Sequence, residues 1–298
     1  MKKLIALLLA LALTCSFTAC GLSATSDSIQ SENNNNNQDN SNHNAPELAF
    51  TETVVVDNEY CSIKITKIED DSIWGFTLKA QLENKSSDKT YMFSVKNASI
   101  NGVQTDPFFA ATVAAGKKSN ESISFSDDDL EENGIGNYTD IELTFRVYDS
   151  DDWAADDVAN TTVHIYPYGQ DKAVQYTRKA QPSDNVLVDN EYVTAIVTGY
   201  ELDSIWGYTI NLFLVNKTDT KVMFATDDES VNGYMVDPFY ADSVCAGKCA
   251  FSSITFSNSS LEENDIVEIE DIEFVFRAYD YNDWLADDFV NETITLNP

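Results

Sequence analysis

The sequence predicts an all-β protein in which one β-sandwich module occurs twice, and three observations lead there. Apolar and polar residues alternate with period two along several runs, the pattern of strands buried on one face. Phe76, Leu78, Ala80 and Leu82 alternate with Thr77, Lys79, Gln81 and Glu83, and Ile141, Leu143, Phe145 and Val147 with Glu142, Thr144, Arg146 and Tyr148. Turn dipeptides such as Asn101-Gly102 separate these runs at short intervals. Finally, a series of segments in the first half returns in order in the second, so both halves should share one fold.

The amino terminus has the features of an export signal. Lys2 and Lys3 precede an apolar run from Leu4 to Leu13, and Phe17-Thr18-Ala19-Cys20 follows. A positive start, a short apolar stretch and small residues before a cut describe a secretory signal, too short for a membrane-spanning helix. Its end resembles the lipobox of bacterial lipoproteins, with Ala19 and Cys20 in the last two positions and Phe17 where leucine is usual. Cys15, after Leu13 and Thr14, is the competing cysteine. The resemblance implies a signal peptide over 1–19 and Cys20 as the lipid anchor. Acyl chains supply about 0.8 kcal/mol per buried methylene, so the expected location is the cell surface, anchored to the outer face of the cytoplasmic membrane.

Residues 20–48 read as a disordered tether. Ser23 to Asn44 is rich in Ser, Asn, Asp and Gln, with an unbroken run from Asn33 to Asn37, and has little apolar surface to offset the entropy of ordering. The formal net charge is -32 and the isoelectric point about 4.1. Such a surface repels phosphate backbones, so nucleic acid is not an expected partner. Metal ions, basic peptides and uncharged glycans are compatible with it.

The first copy is expected over 49–168 and the second over 185–298. Val56-Asp57-Asn58-Glu59-Tyr60 returns as Val188-Asp189-Asn190-Glu191-Tyr192, and Asp71-Ser72-Ile73-Trp74-Gly75 as Asp203-Ser204-Ile205-Trp206-Gly207. Asp106-Pro107-Phe108 returns as Asp237-Pro238-Phe239, Leu130-Glu131-Glu132-Asn133 as Leu261-Glu262-Glu263-Asn264, and Asp156-Asp157 as Asp287-Asp288. Between the copies, 169–184 holds Lys172, Arg178, Lys179 and Pro182 with few bulky apolar residues, and is expected as an exposed linker. Ala115-Gly116-Lys117 reads as a turn and Asp128 to Asn133 as a helical turn. Roughly seven short strands per copy favour an immunoglobulin-like sandwich, with the exact topology open because the Cys-Trp-Cys spacing of antibody domains is absent. Trp74 and Trp206 begin strong alternating runs and are expected in the core.

Several of these segments resemble a known module. Val-Asp-Asn-Glu-Tyr, Asp-Ser-Ile-Trp-Gly, the strand ends Leu82 to Lys85 and Leu214 to Lys217, and the Ala-Gly-Lys turn are similar to those of uncharacterised surface lipoproteins of low-GC Gram-positive bacteria. These carry immunoglobulin-like extracellular domains of unknown function. The resemblance implies fold and location, and brings no catalytic residue.

Catalytic groups are scarce. The two histidines are His43, in the tether, and His164, which the second copy replaces with Thr295. Without a histidine beside a nucleophile, a nucleophile elbow or a phosphate-cradling loop, the reading is not an enzyme. Cys61 fills the apolar slot of Val193 and is expected as a buried thiol. Cys245 and Cys249 flank Ala246-Gly247-Lys248; in a tight hairpin they would face each other as a disulfide, with free thiols the alternative. Asp149, Asp151, Asp152, Asp156 and Asp157 surround Trp153, and Asp280, Asp283, Asp287 and Asp288 surround Trp284. Such oxygen-rich loops are candidate calcium sites, although Asp-rich turns between strands are usually just solvated. Trp153, Trp284, Phe108, Phe109, Phe239 and Tyr240 are candidate contacts for a sugar ring or peptide, or else end caps of the core. The expected function is a surface lipoprotein with duplicated ligand-binding or adhesion modules, for a neutral glycan or peptide. The alternatives are a spacer rigidified by calcium and, third, a glycan- or peptide-acting hydrolase.

Overall fold

The computed structural model describes residues 48–69, 75–107, 109–126, 130 and 133–298. The expected signal, Cys20, nearly all of the tether, Trp74 and Phe108 lie outside them. Pro46–Pro298 forms one compact unit.

The fold is all β, with sandwich-like sheets, as the alternation predicts. The first copy contributes β1 (Thr53–Asp57), β2 (Cys61–Glu69), β3 (Thr77–Asn84), β4 (Tyr91–Ile100), β5 (Val103–Thr105), β6 (Ala110–Val113), β7 (Lys118–Ser124), β8 (Ile141–Asp149) and β9 (Ala159–Ile165). The second contributes β10 (Asn185–Asp189), β11 (Val193–Ser204), β12 (Gly207–Asn216), β13 (Val222–Val231), β14 (Tyr234–Met235), β15 (Ala241–Val244), β16 (Cys249–Ser257), the short helix α1 (Asn258–Glu263), β17 (Ile272–Asp280) and β18 (Val290–Leu296). More strands form than the sequence suggests because the run after each Asn-Gly is broken near a proline, Pro107 or Pro238. Its two pieces, β5 with β6 and β14 with β15, pair separately with β4 and β13.

One sheet runs β1-β2-β3-β7 and another β14-β13-β17-β18, while the longest runs β10-β11-β12-β16-β5-β4-β8-β9. The inward residues of the alternating runs meet as expected. Leu78, Leu82, Ile141, Leu143, Phe145 and Val147 are fully buried in one cluster, and Ile272, Phe274, Phe276 and Ala278 in the other. Both Asn-Gly hairpins form with the left-handed backbone their residues tolerate. Asn101 and Gly102 have φ of 52° and 86°, and Asn232 and Gly233 of 51° and 78°.

Two repeated asparagine pairs are structural. Asn58 accepts from the amides of Tyr60 and Cys61 and donates to the Val158 carbonyl, and Asn190 does the same at Tyr192, Val193 and Phe289. Asn84 is buried and donates to the carbonyls of Lys89 and Val113, as Asn216 does to Thr220 and Val244. These side chains satisfy the main chain where it crosses from one sheet to the other, which is why the Asn-Lys strand end occurs twice.

One expectation needs correction. Trp206 is 74% exposed, because Ser204 pairs with Gly207 and leaves Ile205 and Trp206 as the two turn residues, with no strand face to bury. Gly207 closes this turn at φ 139°, and a Cβ there would lie 2.0 Å from the Phe256 carbonyl oxygen. The 169–184 segment has no buried residue, as expected of an exposed linker, yet it is fastened at two points. Tyr176 donates its amide to the Asn101 carbonyl and packs edge-on to Phe213 and Phe251, at centroid distances of 6.3 and 6.0 Å. Arg178 and Asp184 form a forked ion pair with both N–O distances 2.7 Å, and neither side chain is more than 13% exposed.

Candidate functional site

The copies meet along an edge. The β16 edge pairs in parallel with β5 at Cys249 and Val103, and the Cys249 amide donates to the Gly102 carbonyl at 3.1 Å. Gln104 bridges the gap, donating to the Ser243 carbonyl at 2.7 Å and accepting from the Cys245 amide at 2.9 Å. Lys248 pairs with Glu142 at 2.7 Å, and Glu142 also faces His164 at 3.2 Å, whose other ring nitrogen lies 2.7 Å from Asp140. Gly102 favours glycine here through its backbone, at φ 86°, and the end of the Gln175 side chain lies close against it.

Copy-specific residues make this joint. The register pairs Phe213 with Ile196 and Phe251, and Val215 with Cys249, all facing the first copy or the strap. The matching register in the first copy reads Gln81, Lys64, Asn120, Glu83 and Lys118. An apolar outer face thus occurs only on the sheet that is covered.

Beside the joint opens a cleft of about 830 Å³. Its first-copy wall includes Lys96, Asn97, Gln104 and Asp106, and its second-copy wall Glu201, Asn211, Lys221, Asp242, Ser252 and Ser253, over an apolar floor that includes Val103, Leu212 and Phe251. Lys96 is the extra residue of a β-bulge between Val95 and Asn97, so the local twist of β4 sets it out from the ladder. Ser252 donates to Asp242 at 2.7 Å and contacts the Tyr240 hydroxyl at 3.2 Å. Asn211 donates to Glu201 at 2.8 Å, and Lys221 lies 4.8 Å from the Tyr281 ring centroid. Burial raises the Tyr240 hydroxyl far above its ordinary range, so it stays protonated and available as a hydrogen-bond donor.

Most of the sequence-predicted site residues lie elsewhere. Asp149 is taken by Lys89 at 2.9 Å, Asp157 by Arg146 at 2.7 Å and Asp288 by Arg277 at 2.8 Å, while Asp280 accepts from the Asn282 amide within its own turn. Lys89 accordingly lowers the Asp149 carboxyl, and Arg277 that of Asp288. Asp151, Asp152, Asp156, Asp283 and Asp287 do not join them: among the described residues no three acidic, cysteine or histidine side chains converge on a metal-sized site. One retained pair, Asp157 and Asp288, thus pins the strand arginines Arg146 and Arg277. Trp153 and Trp284 are 75% and 70% exposed in those loops and form no part of the cleft. Phe109 is buried edge-on to Phe145 and belongs to the core rather than to a binding surface. Phe239 is 93% exposed at φ 57°, an uncommon backbone for a bulky residue. Among the predicted aromatics that lie in the described residues, Tyr240 reaches the cleft wall, through Ser252.

Cys245 and Cys249 are not paired, and Cys61 is also free. Their turn is not a hairpin: β15 pairs with β13 in one sheet and β16 with β12 in another, so the chain changes sheets between the two cysteines. The Cys249 thiol instead faces the Gly102 carbonyl at 3.6 Å, and burial raises it to about 11, as it does Cys61. Burial also raises Cys245, against the opposing pull of Lys221, Lys248 and Lys96.

The cleft residues carry no motif, so sequence reading passed over them. The available signal was the difference between copies, above all Phe213 and Phe251 against Gln81 and Asn120.

No known protein family and no curated protein matches the chain. Among solved structures it is similar to red sea bream transglutaminase, with 13% identity and a TM-score of 0.23, covering 81% of this chain and 31% of that one. It is also similar to the exo-chitosanase CsxA of Amycolatopsis orientalis, with 11% identity and a TM-score of 0.23, covering 81% of this chain and 27% of the enzyme. A variant of that enzyme in complex with PNP-beta-D-glucosamine matches at 11% identity and a TM-score of 0.24, covering 74% and 25%. The chain spans less than a third of the length of each, and the likeness is one of fold alone.

Proposed function

We propose that the chain is a non-enzymatic surface lipoprotein, anchored through Cys20, whose two immunoglobulin-like copies act as one binding unit with the ligand seated between them. The cleft beside the joint carries this reading. It has the size of a small-ligand site, with a mostly polar lining over a small apolar floor of Val103, Leu212 and Phe251. The Asn97 amide and the Ser253 hydroxyl offer donors and acceptors to a ligand, while Gln104, Asn211 and Ser252 hold the walls through hydrogen bonds of their own. That mixture matches the hydroxyl groups of a neutral glycan, and an uncharged ligand meets no penalty from a net charge of -32.

Calorimetric titration of residues 46–298 with neutral oligosaccharides tests the reading, with short peptides as the second set. Asn97→Ala with Ser253→Ala is expected to weaken binding at least tenfold, about 1.4 kcal/mol, at an unchanged melting temperature. Binding that survives those changes but is lost with Trp153→Ala and Trp284→Ala would move the site to the acidic loops. An absence of binding across both sets would favour a spacer role.

A further inference from the structure

Each copy has two edges that the joint could use, and the chain uses only one of each. Within the chain, the β5 edge of the first copy receives the β16 edge of the second. The counterpart of β5 in the second copy is β14, and the counterpart of β16 in the first copy is β7. Neither is covered. Val103 of β5 is buried, whereas Tyr234, at the same position of β14, is 55% exposed and Met235 beside it 68%. Gly102 lies against the strap, whereas a Cβ on Gly233 would meet nothing within 4 Å. On β7, Lys118 and Asn120 are exposed where Cys249 and Phe251 are covered.

The charged pair of the joint is duplicated at the free edges. Lys248 meets Glu142 within the chain, and Lys117 and Glu273 occupy the same positions at the free β7 and β14 edges. Neither takes part in an ion pair among the described residues, and both are exposed. Around Glu273 the second copy is acidic, with Glu262, Glu263, Asp265, Glu268 and Glu270 all exposed. On the first-copy face Lys64 and Lys118 are already paired with Glu52 and Glu83, so among the described residues Lys117 is the cation this edge leaves to meet the acidic side.

We propose that the chain associates head to tail with a second copy of itself, the β7 edge of one molecule seated on the β14 edge of the next in the register that β16 and β5 already use. The Lys118 amide then faces the Gly233 carbonyl and Lys117 faces Glu273. Gln81 and Asn120 replace the aromatic pair of the internal joint, so this contact is more polar and weaker than the internal one. The two edges differ, so each association leaves one free at either end and the series is open.

Sedimentation velocity on residues 46–298, which hold every strand of the described residues and both hydrophobic clusters, tests the proposal. At low ionic strength the weight-average sedimentation coefficient is expected to rise with concentration. It should return to the monomer value near 1 M salt, where the screening length is about 3 Å. Glu273→Lys and Lys117→Glu should each hold the protein at the monomer value. An equimolar mixture of the two variants should recover association, because every junction between unlike molecules again brings opposite charges together. The proposal is overturned if the unaltered protein stays monomeric at all concentrations, if either variant associates as it does, or if the mixture behaves as its components do alone. Matching circular dichroism melts establish that the variants are folded.

Discussion

Asn216 exposes 1% of its surface and spends its side-chain amide on the carbonyls of Thr220 and Val244, while its oxygen accepts from the Thr218 amide. Removing it strands buried main-chain groups, each of which costs about 1–3 kcal/mol when left without a partner. Asn216→Ala is therefore expected to destabilise the protein by about 2 kcal/mol or more in urea unfolding, and a loss below about 0.5 kcal/mol would refute the pinning role. A second single-residue effect depends on pH. Arg178, with the Gln181 amide, holds the Asp184 carboxyl at about 2, below the ordinary carboxylate range. Folding thus strengthens this acid, so the pair stabilises fully at neutral pH and its contribution fades as pH falls through about 4 toward 2. Asp184→Asn should lower the melting temperature at pH 7, and the difference from the unaltered protein should shrink steeply between pH 4 and pH 2. A difference that stays constant across that range would mean the carboxyl is not held by Arg178.

The strap and the sheet it covers form the element that turns two copies into one unit. Tyr176, Phe213 and Phe251 make three aromatic contacts, each worth about 0.5–1.5 kcal/mol beyond the area buried. Replacing Phe213 and Phe251 with the residues of the first copy, as Phe213→Gln with Phe251→Asn, should uncouple the copies. A single calorimetric transition is expected to divide into two, and one unshifted transition would show that the strap contributes little. The strands of this element were readable from sequence because period two reports burial on one face directly, as at Leu212 and Leu214 of β12. The outer face was not, because Phe213 and Val215 break the alternation and read as noise unless a partner is known to cover them. The strap is an exposed linker as its composition predicts, and the anchoring of Tyr176 and Arg178 within it shows only once Phe213 is placed beneath them. Trp206 failed differently, since period two does not reveal which residue of a run becomes the turn. The cleft was out of reach, as its walls come from segments more than a hundred residues apart, such as Asn97 and Asn211.

The whole molecule carries a strong excess of negative charge: fifty acidic residues against eighteen basic ones. Like charges repel in the compact state, so added sodium chloride should raise the melting temperature by screening. Divalent cations separate screening from binding. A site-bound cation at about 100 times its dissociation constant stabilises by roughly 2.7 kcal/mol, enough to move the midpoint by several degrees. The loop carboxylates best placed to bind one are already engaged, Asp149 with Lys89, Asp157 with Arg146 and Asp288 with Arg277. A calcium ion would have to displace those cations and then complete its shell from side chains that do not converge. Melts in calcium and in magnesium at equal ionic strength are therefore expected to coincide, both above the chelator baseline by the amount sodium chloride produces. A calcium midpoint several degrees above the magnesium one would return the metal to the loops around Trp153 and Trp284. Repeating the melts with Asp156→Asn and Asp287→Asn, neither of which disturbs an arginine pair, would then identify the copy that holds it.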